Sequence, residues 1–239
     1  MPLNTNKIKL SSFDIKRKIR LPSKMDENLS EFCGIHIADG YMVHKPKQRH
    51  YLIRWGGNPK DEKEYYNKHI TKLWLNLFNA RIKPRLYDNG TYGFEFYSKG
   101  IFEFLTKCIG IPAGNKVKTA SVPLIIRGTY QGNVSKKMIG FLRGVIDNDF
   151  YLIKDKTGLE LGGWFASKKL VKDLYKYFNR MGLHPKIRSD TKYFDKRIKK
   201  WIVRYCVRIR RNEDIKKWLK LIGTNNIKLF DRYKNWKTG

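Results

Sequence analysis

Two aspartates, Asp39 and Asp149, each close a short apolar stretch, LSEFCGIHIAD and KKMIGFLRGVIDND. A pair of carboxylates brought together is an arrangement that binds a divalent cation. Ser30, Gly34 and Ala38 recur every fourth residue in the first stretch, and Gly140, Gly144 and Asn148 do so in the second. Read as helices, both carry a seam of small side chains along which another backbone can approach closely. Seams that face each other would bring Asp39 and Asp149 out side by side. A hard cation would relieve their repulsion and desolvation, so Mg²⁺ is expected, with Mn²⁺ or Ca²⁺ able to occupy the same place. The carbonyl oxygens of Ala38 and Asn148, at fraying helix ends, are candidate further ligands. Each aspartate alone also fits a turn residue before a hairpin, and Asp39-Gly40 is ordinary turn chemistry. The matched seams favour the paired reading.

The elements that must position this pair occur twice. Residues 29–110 and 135–223 follow one order: the seam helix, a hairpin, a helix, a second hairpin and a last helix. The first hairpins, about 41–55 and 150–164, both end on tryptophan, Trp55 and Trp164. Asn58 with Pro59 behind it, and Ser167, are N-cap signals opening the amphipathic stretches DEKEYYNKHITKLWLNLF and KKLVKDLYKYFNRMG. The fold class expected is α+β: two αββαββα subdomains related by a pseudo-two-fold, with the seam helices between them. A basic extension (1–28), a linker without strong periodicity (111–134) and a tail (224–239) complete the division. The extension contains IKRKIR and reads either as an ordered arm on a phosphate backbone or as a mobile tail.

In KKWIVRYCVRIRR, Trp201, Val203, Tyr205, Val207 and Ile209 alternate with Arg204, Arg208 and Arg210, giving a packing face and a basic face. The preceding strand places Lys186, Arg188 and Lys192 in phase, and Arg81, Lys83, Arg85 and Tyr87 form the matching set in the first half. Lys45, Arg54, Lys99 and Lys154 are further candidate contacts to DNA. A single basic strand face is more often just solvated, but its recurrence suits a β-ribbon entering a major groove.

Lys and Arg number 51 against 21 Asp and Glu, a formal charge of +30, far beyond what solubility needs, so a polyanionic partner is expected. Aromatic residues make up 14% of the chain, which excludes general disorder. Cys33, Cys108 and Cys206 form no CxxC pair, so neither a zinc knuckle nor a disulfide framework is indicated, and a reducing intracellular compartment fits. No apolar run approaches the ~20 residues of a membrane span. His36 and His44 are too isolated to argue for zinc, and His36 is expected at a surface or interface.

The stretches FCGIHIADG and LRGVIDNDF, each followed by the elements above, resemble two copies of the signature of the LAGLIDADG homing endonucleases, with the likeness running over about residues 21–222. The resemblance implies two antiparallel sheets forming a saddle over duplex DNA, with a long target site and a monomeric protein. It also implies that Asp39 and Asp149 bind the catalytic metals, which activate water against the scissile phosphate and stabilise the leaving 3′-oxygen. Ile37 replaces the earlier acidic residue of the signature, and Phe150 replaces its last glycine. Neither change removes a metal ligand. The family often places Gln or Lys at the end of the first hairpin to order water. Gly56 and Gly57, or Phe165 and Ala166, stand there instead, so that role is not carried over. Lys99, Arg208 and Arg210 are basic candidates near the site, although helix capping or phosphate contact accounts for them more simply.

The reading expected is a site-specific double-strand DNA endonuclease encoded within a mobile intron or standing alone. An intein is disfavoured, because no splicing-domain sequence surrounds the repeats. The alternatives are an RNA maturase acting on intron RNA, or a DNA-binding protein with a silent site. A ribosomal-type RNA-binding protein would explain the charge but not the paired seams.

Overall fold

The computed structural model describes residues 2–48, 50–127, 134–155, 158–195 and 199–238. A short helix α1 (Ser12–Lys16) precedes the first seam helix α2 (Glu27–Asp39), whose N-terminus is capped by the Asp26 side chain accepting from Leu29 N at 2.9 Å. Strands β1 (Gly40–Lys45) and β2 (His50–Gly57) follow directly. Next comes one long helical run: α3 (Pro59–Tyr65), a π-turn over Tyr66–Ile70, and α4 (Thr71–Phe78). Asn58 caps its start, and Asn79 ends it in the left-handed conformation. Strands β3 (Arg85–Leu86) and β4 (Tyr92–Tyr97) lead to α5 (Lys99–Glu103), prolonged by a π-turn over Phe104–Ile109.

The linker contains α6 (Leu124–Arg127), and its positions 128–133 lie outside the described residues. The second seam helix α7 (Lys136–Asp149) begins a repetition of the plan: β5 (Phe150–Asp155), β6 (Gly158–Phe165), α8 (Lys168–Arg180), β7 (Lys186–Asp195), β8 (Lys200–Ile209) and α9 (Asn212–Leu221). A last helix, α10 (Ile227–Thr238), packs on β5 and α3. Both sheets are antiparallel, with the same order: β1-β2-β4-β3 and β5-β6-β8-β7. The α+β fold with two matching αββαββα halves is therefore as expected. No helix among the described residues is long and apolar enough to cross a membrane.

Each sheet buries one face under its helices. In the first half Phe32, Trp55, Trp74, Phe78 and Phe94 interlock, with Phe32 and Trp55 ring centroids 4.8 Å apart and those of Trp74 and Phe94 5.1 Å apart. The second core is built from Leu142, Ile146, Leu161, Leu174, Phe178, Val207 and Trp218.

Four expectations need correction. The strand expected over Arg81 to Tyr87 is only two residues long, because Pro84 interrupts it and has no N–H to give to a ladder, so Arg81 and Lys83 precede the sheet. Lys192 is out of phase with Lys186 and Arg188. A bulge between Arg188 and Thr191, with Asp190 at φ 54°, reverses the parity and sets Lys192 opposite Val203. Trp201 and Val203 keep the parity of the packing face, yet they are 69% and 42% exposed, because the β7–β8 ladder runs past the helices that cover its base. His36 is fully buried: its Nδ1 accepts from Trp55 Nε1 at 2.9 Å, and burial, followed by the Lys116 charge, lowers its pKa to about 3.

The basic extension is docked on the first half. Asp14, fully buried, accepts from Ser98 Oγ at 2.7 Å, Gly100 N at 3.0 Å and Ser11 N at 3.1 Å. Burial alone would raise its pKa, but these hydrogen bonds outweigh it and hold the carboxyl below its ordinary value. Asp14→Ala leaves the buried Ser98 Oγ and Gly100 N without this acceptor. It should cost about 1–3 kcal/mol in urea unfolding. Because the folded pKa is depressed, the stability Asp14 supplies is present above the unfolded value of 3.8 and is lost as pH falls through the folded one. The wild-type advantage over Asp14→Ala should therefore shrink in acid, and an advantage independent of pH would contradict the assignment.

Candidate metal centre and nucleic-acid interface

The seam helices meet at their glycines. A Cβ on Gly34 would collide with the carbonyl of Phe141, one on Gly144 with the carbonyl of Glu31 and, at 2.7 Å, with Ile35 N, and one on Gly140 with the carbonyl of Glu27. These are backbone atoms, so α2 and α7 touch main chain to main chain from Glu27 to Ile35 and from Gly140 to Val145. Toward the N-terminal ends of this seam, Arg143 donates to Glu27 at 2.8 Å and to the buried Glu31 at 3.1 Å, and Glu31 also bonds His69 and Asn225. At the C-terminal ends lie Asp39 and Asp149.

Both aspartates are only partly exposed. Burial, then the Asp149 and Glu62 charges, pushes the Asp39 pKa well above its ordinary value, while Lys116 and Lys228 oppose the rise. Burial raises Asp149 to about 7, with Lys116 opposing and Glu62 assisting. Two recessed carboxylates that feel each other's charge carry a repulsion that a cation would relieve.

The linker contributes a side chain that sequence reasoning missed. Lys116 is 9% exposed, and its Nζ donates to Ile37 O at 2.9 Å, two residues before Asp39. Burial lowers its pKa, and the Asp149 and Asp39 charges pull it back up. Its counterpart is Asn226, whose Nδ2 donates to Asp147 O at 2.6 Å, two residues before Asp149. Each stands 77 residues after the aspartate of its own half, 39 to 116 and 149 to 226, a spacing that an alignment of the halves extended into the linker and tail could have found. Glu62 was missed too. Its Oε2 accepts from Asn58 N at 2.7 Å and fills the space that a side chain at Gly57 would need.

The donor set fits a small divalent ion. Among the described residues no group of three or more His, Cys, Asp or Glu could hold a metal, and Mg²⁺ is commonly held by one or two carboxylates with water and substrate phosphate filling the remaining positions. Two buried oxygens nearby, Tyr66 Oη and Asn148 Oδ1, lack hydrogen-bond partners among the described residues, and Tyr66 feels both Asp39 and Glu62. Lys116 and Asn226 use the carbonyls of Ile37 and Asp147, each one residue ahead of the Ala38 and Asn148 carbonyls that the sequence suggested.

The raised carboxyl pKa values have a pH consequence. A folded pKa above the unfolded 3.8 means that the folded state loses stability as pH rises through about 7. A cation relieves this cost and must displace protons below that pH. The rise in Tm produced by Ca²⁺ should therefore be larger at pH 8 than at pH 6 in thermal unfolding. An equal rise at both pH values would argue against binding at these carboxyls.

The outer faces of the sheets carry the cations. In the first, Lys45, Arg54 and Arg85 share a face, Arg54 and Arg85 both lie 4.9 Å from the Tyr87 ring centroid, and Arg54 is 3.6 Å from Glu95. In the second, Arg204 lies over the rings of Tyr193 at 3.5 Å and Trp164 at 5.1 Å, with Arg188 at 5.9 Å from Trp164. Lys186 is opposite Arg208, and Glu160 pairs with both Arg208 at 3.1 Å and Arg210 at 2.8 Å. Stacking on rings holds guanidinium planes in place while leaving N–H groups for phosphates and base edges. Lys154 is in phase with the buried Leu152 and so belongs to the helix-facing side. Lys99 opens α5 behind the Ser98 cap.

No family model matches the chain. It is 30% identical over 148 residues to a component of the A-type ATP synthase of Pyrococcus abyssi, a match that spans 61% of this chain and only 13% of that protein. Among solved structures, I-DmoI in complex with DNA and Mn is 19% identical, with a TM-score of 0.55, over 84% of this chain and 98% of that one. I-DmoI with DNA and Ca aligns with a TM-score of 0.54 at 18% identity, covering 83% and 91%. The homing endonuclease I-WcaI bound to its DNA recognition sequence aligns with a TM-score of 0.51 at 15% identity, covering 95% of this chain and 92% of that one. With its two antiparallel sheets and its paired glycine-seamed helices, the chain has the fold of the LAGLIDADG homing endonucleases.

Proposed function

We propose that this protein is a member of that family and a site-specific DNA endonuclease, acting as a monomer on a long duplex target. The observation that carries the reading is the delivery of Asp39 and Asp149, by helices in backbone contact, to one recessed acidic floor beside the buried Lys116. The likeness of the fold to endonucleases described with DNA, Mn and Ca supports it. So does the charge of +30.

In this reading the two outer faces hold the duplex. Lys45, Arg54, Arg85 and Tyr87 act from one half and Lys186, Arg188, Arg204, Arg208 and Arg210 from the other, with Arg81, Lys83 and Lys99 on the flanks of the first sheet. Lys154 and Lys192, on the opposite parity, reach only backbone phosphates at the rim. Asp39 and Asp149 hold Mg²⁺, and the ion when bound supplies an activated water and charge stabilisation for the departing 3′-oxygen. Lys116 keeps a positive charge against the carboxylates and the scissile region. The packed α2–α7 seam fixes the spacing of the two carboxylates, and the sheets exclude bulk water once DNA is seated. Residues 29–110 and 135–223 serve as half-site units. The extension docks on the first unit through the buried Leu3, Asp14, Ile19 and Met25, and the tail supplies Asn226 to the second unit's floor.

The test is incubation with a random plasmid library in Mg²⁺, followed by sequencing of broken ends. Clustered double-strand breaks at one sequence support the reading, and retained binding without scission contradicts it.

A further inference from the structure

We infer that Glu160 is a positioning residue for target recognition: it holds Arg208 and Arg210 as a fixed fork that reads guanine edges in the half-site covered by the second sheet. This rests on the endonuclease reading above and adds to it the residue that makes one half-site selective.

Glu160 stands on the inner strand β6, on the outer face of the second sheet, yet it is only 6% exposed. Its Oε1 accepts from Tyr151 Oη at 2.6 Å. Its Oε2 accepts from Arg208 Nη1 at 3.1 Å and pairs with Arg210 Nε at 2.8 Å. Tyr151, on β5, reaches the acid across Gly162. A Cβ at residue 162 would meet the tyrosine Oη at 2.7 Å and Cζ at 2.8 Å, so the missing side chain there leaves the ring its path. Gly162 in turn lies opposite Arg208 on β8. One carboxylate is thus shared by a tyrosine from one neighbouring strand and two arginines from the end of the other. The arginine side chains stay 28% and 40% exposed above the buried acid. The first sheet has a looser version, in which Glu95 reaches Arg54 alone, at 3.6 Å.

An acid buried in a face that meets phosphates weakens sequence-independent attraction, because it cancels part of the charge of the two guanidinium groups. What it supplies is direction. A guanidinium on an untethered side chain turns to the nearest phosphate, whereas one held by a charged hydrogen bond keeps its remaining N–H groups aimed one way. Arginine paired with O6 and N7 of guanine is the commonest base-specific contact in the major groove, and a fixed fork meets any other base with donors left unpaired. Arg208 and Arg210, two residues apart and tied to one oxygen, address nearby base pairs. Glu160 therefore exchanges general affinity for discrimination.

The experiment is selection of duplexes from a randomised pool by the full-length protein, with Ca²⁺ in place of Mg²⁺. Affinities are then measured for the recovered site, its single-base variants and an unrelated duplex. The wild type should recover guanines at one or two positions of one half-site, each favoured at least about tenfold over other bases. Glu160→Gln should reduce that preference to about threefold or less and leave the other positions as selective as before. It should also tighten binding to the unrelated duplex and steepen its salt dependence by about one phosphate contact. Arg208→Lys, at a partly exposed position, should lose the preference for the guanine it reads. Damage to the fold weakens selection at every position and does not tighten binding to unrelated DNA, so the two readouts separate positioning from damage. If Glu160→Gln does not fold, Arg208→Lys decides. A wild-type site without such guanines, or a guanine preference unchanged in either folded variant, overturns the inference, and so does uniform loss of selectivity across the site in a folded Glu160→Gln protein. A wild type that selects no sequence at all would instead overturn the endonuclease reading, and that is seen before any variant is made.

Discussion

Asp39→Asn and Asp149→Asn should each reduce the cleavage rate about a thousandfold, corresponding to about 4 kcal/mol of lost transition-state stabilisation, while leaving DNA affinity intact. Asparagine keeps the shape and removes the charge. Affinity is expected to survive because the proposed contacts to the duplex are on the sheet faces, some of whose guanidinium groups are held by Tyr87, Trp164 and Tyr193. Removing either carboxylate also removes part of the like-charge cost at the floor, so the metal-free variants should melt higher than wild type at pH 8 and lose the Ca²⁺-dependent rise in Tm. Wild-type cutting by both variants would refute the assignment of the aspartates.

Gly144→Val has the second large effect, and it falls on folding. A Cβ at residue 144 enters the space of Glu31 O and Ile35 N, and main chain cannot rotate away as a side chain can. The two seam helices would have to separate, opening the interface on both cores and spreading Asp39 from Asp149. The expected cost is about 3 kcal/mol or more, seen as a fall in Tm of roughly 6–12 °C for a chain of this size. Gly56→Ala is the control. Its Cβ meets only Thr91 at 3.7 Å, an ordinary contact, so its stability should stay within about 1 kcal/mol of wild type. A Gly144→Val protein as stable as wild type would mean that the helices do not touch along this seam.

These two sites were readable from the sequence for one reason: both follow from spacing within a single helix. The four-residue recurrence of Gly140 and Gly144, set against Gly34, requires no knowledge of the rest of the fold, and the aspartates follow at the next turn. The order of elements was legible because each hairpin and helix carries its own punctuation, such as Asn58-Pro59 and Ser167. Lys192 was misplaced because strand parity holds only until a bulge, and nothing in RSDTK announces one except Asp190, a residue type that tolerates φ 54°. Trp201 looked like core because its parity is that of core, and parity does not say where the covering helices stop. His36 is buried on α2, and its neutrality comes from that burial with the Lys116 charge assisting, while Trp55, nineteen residues away, donates to its Nδ1. Lys116 and Asn226 come from segments without periodicity, so only the repeat spacing, carried into the linker and the tail, marks them.

The proposed activity requires Asp39 and Asp149 to hold cations in common. Crystals of the protein with its target duplex and Mn²⁺, measured at the manganese absorption edge, test this most directly. Anomalous peaks within ligand distance of both carboxylates and beside the scissile phosphates are the predicted result. A bound duplex with no peak between the two aspartates, or with the manganese held elsewhere, would contradict it.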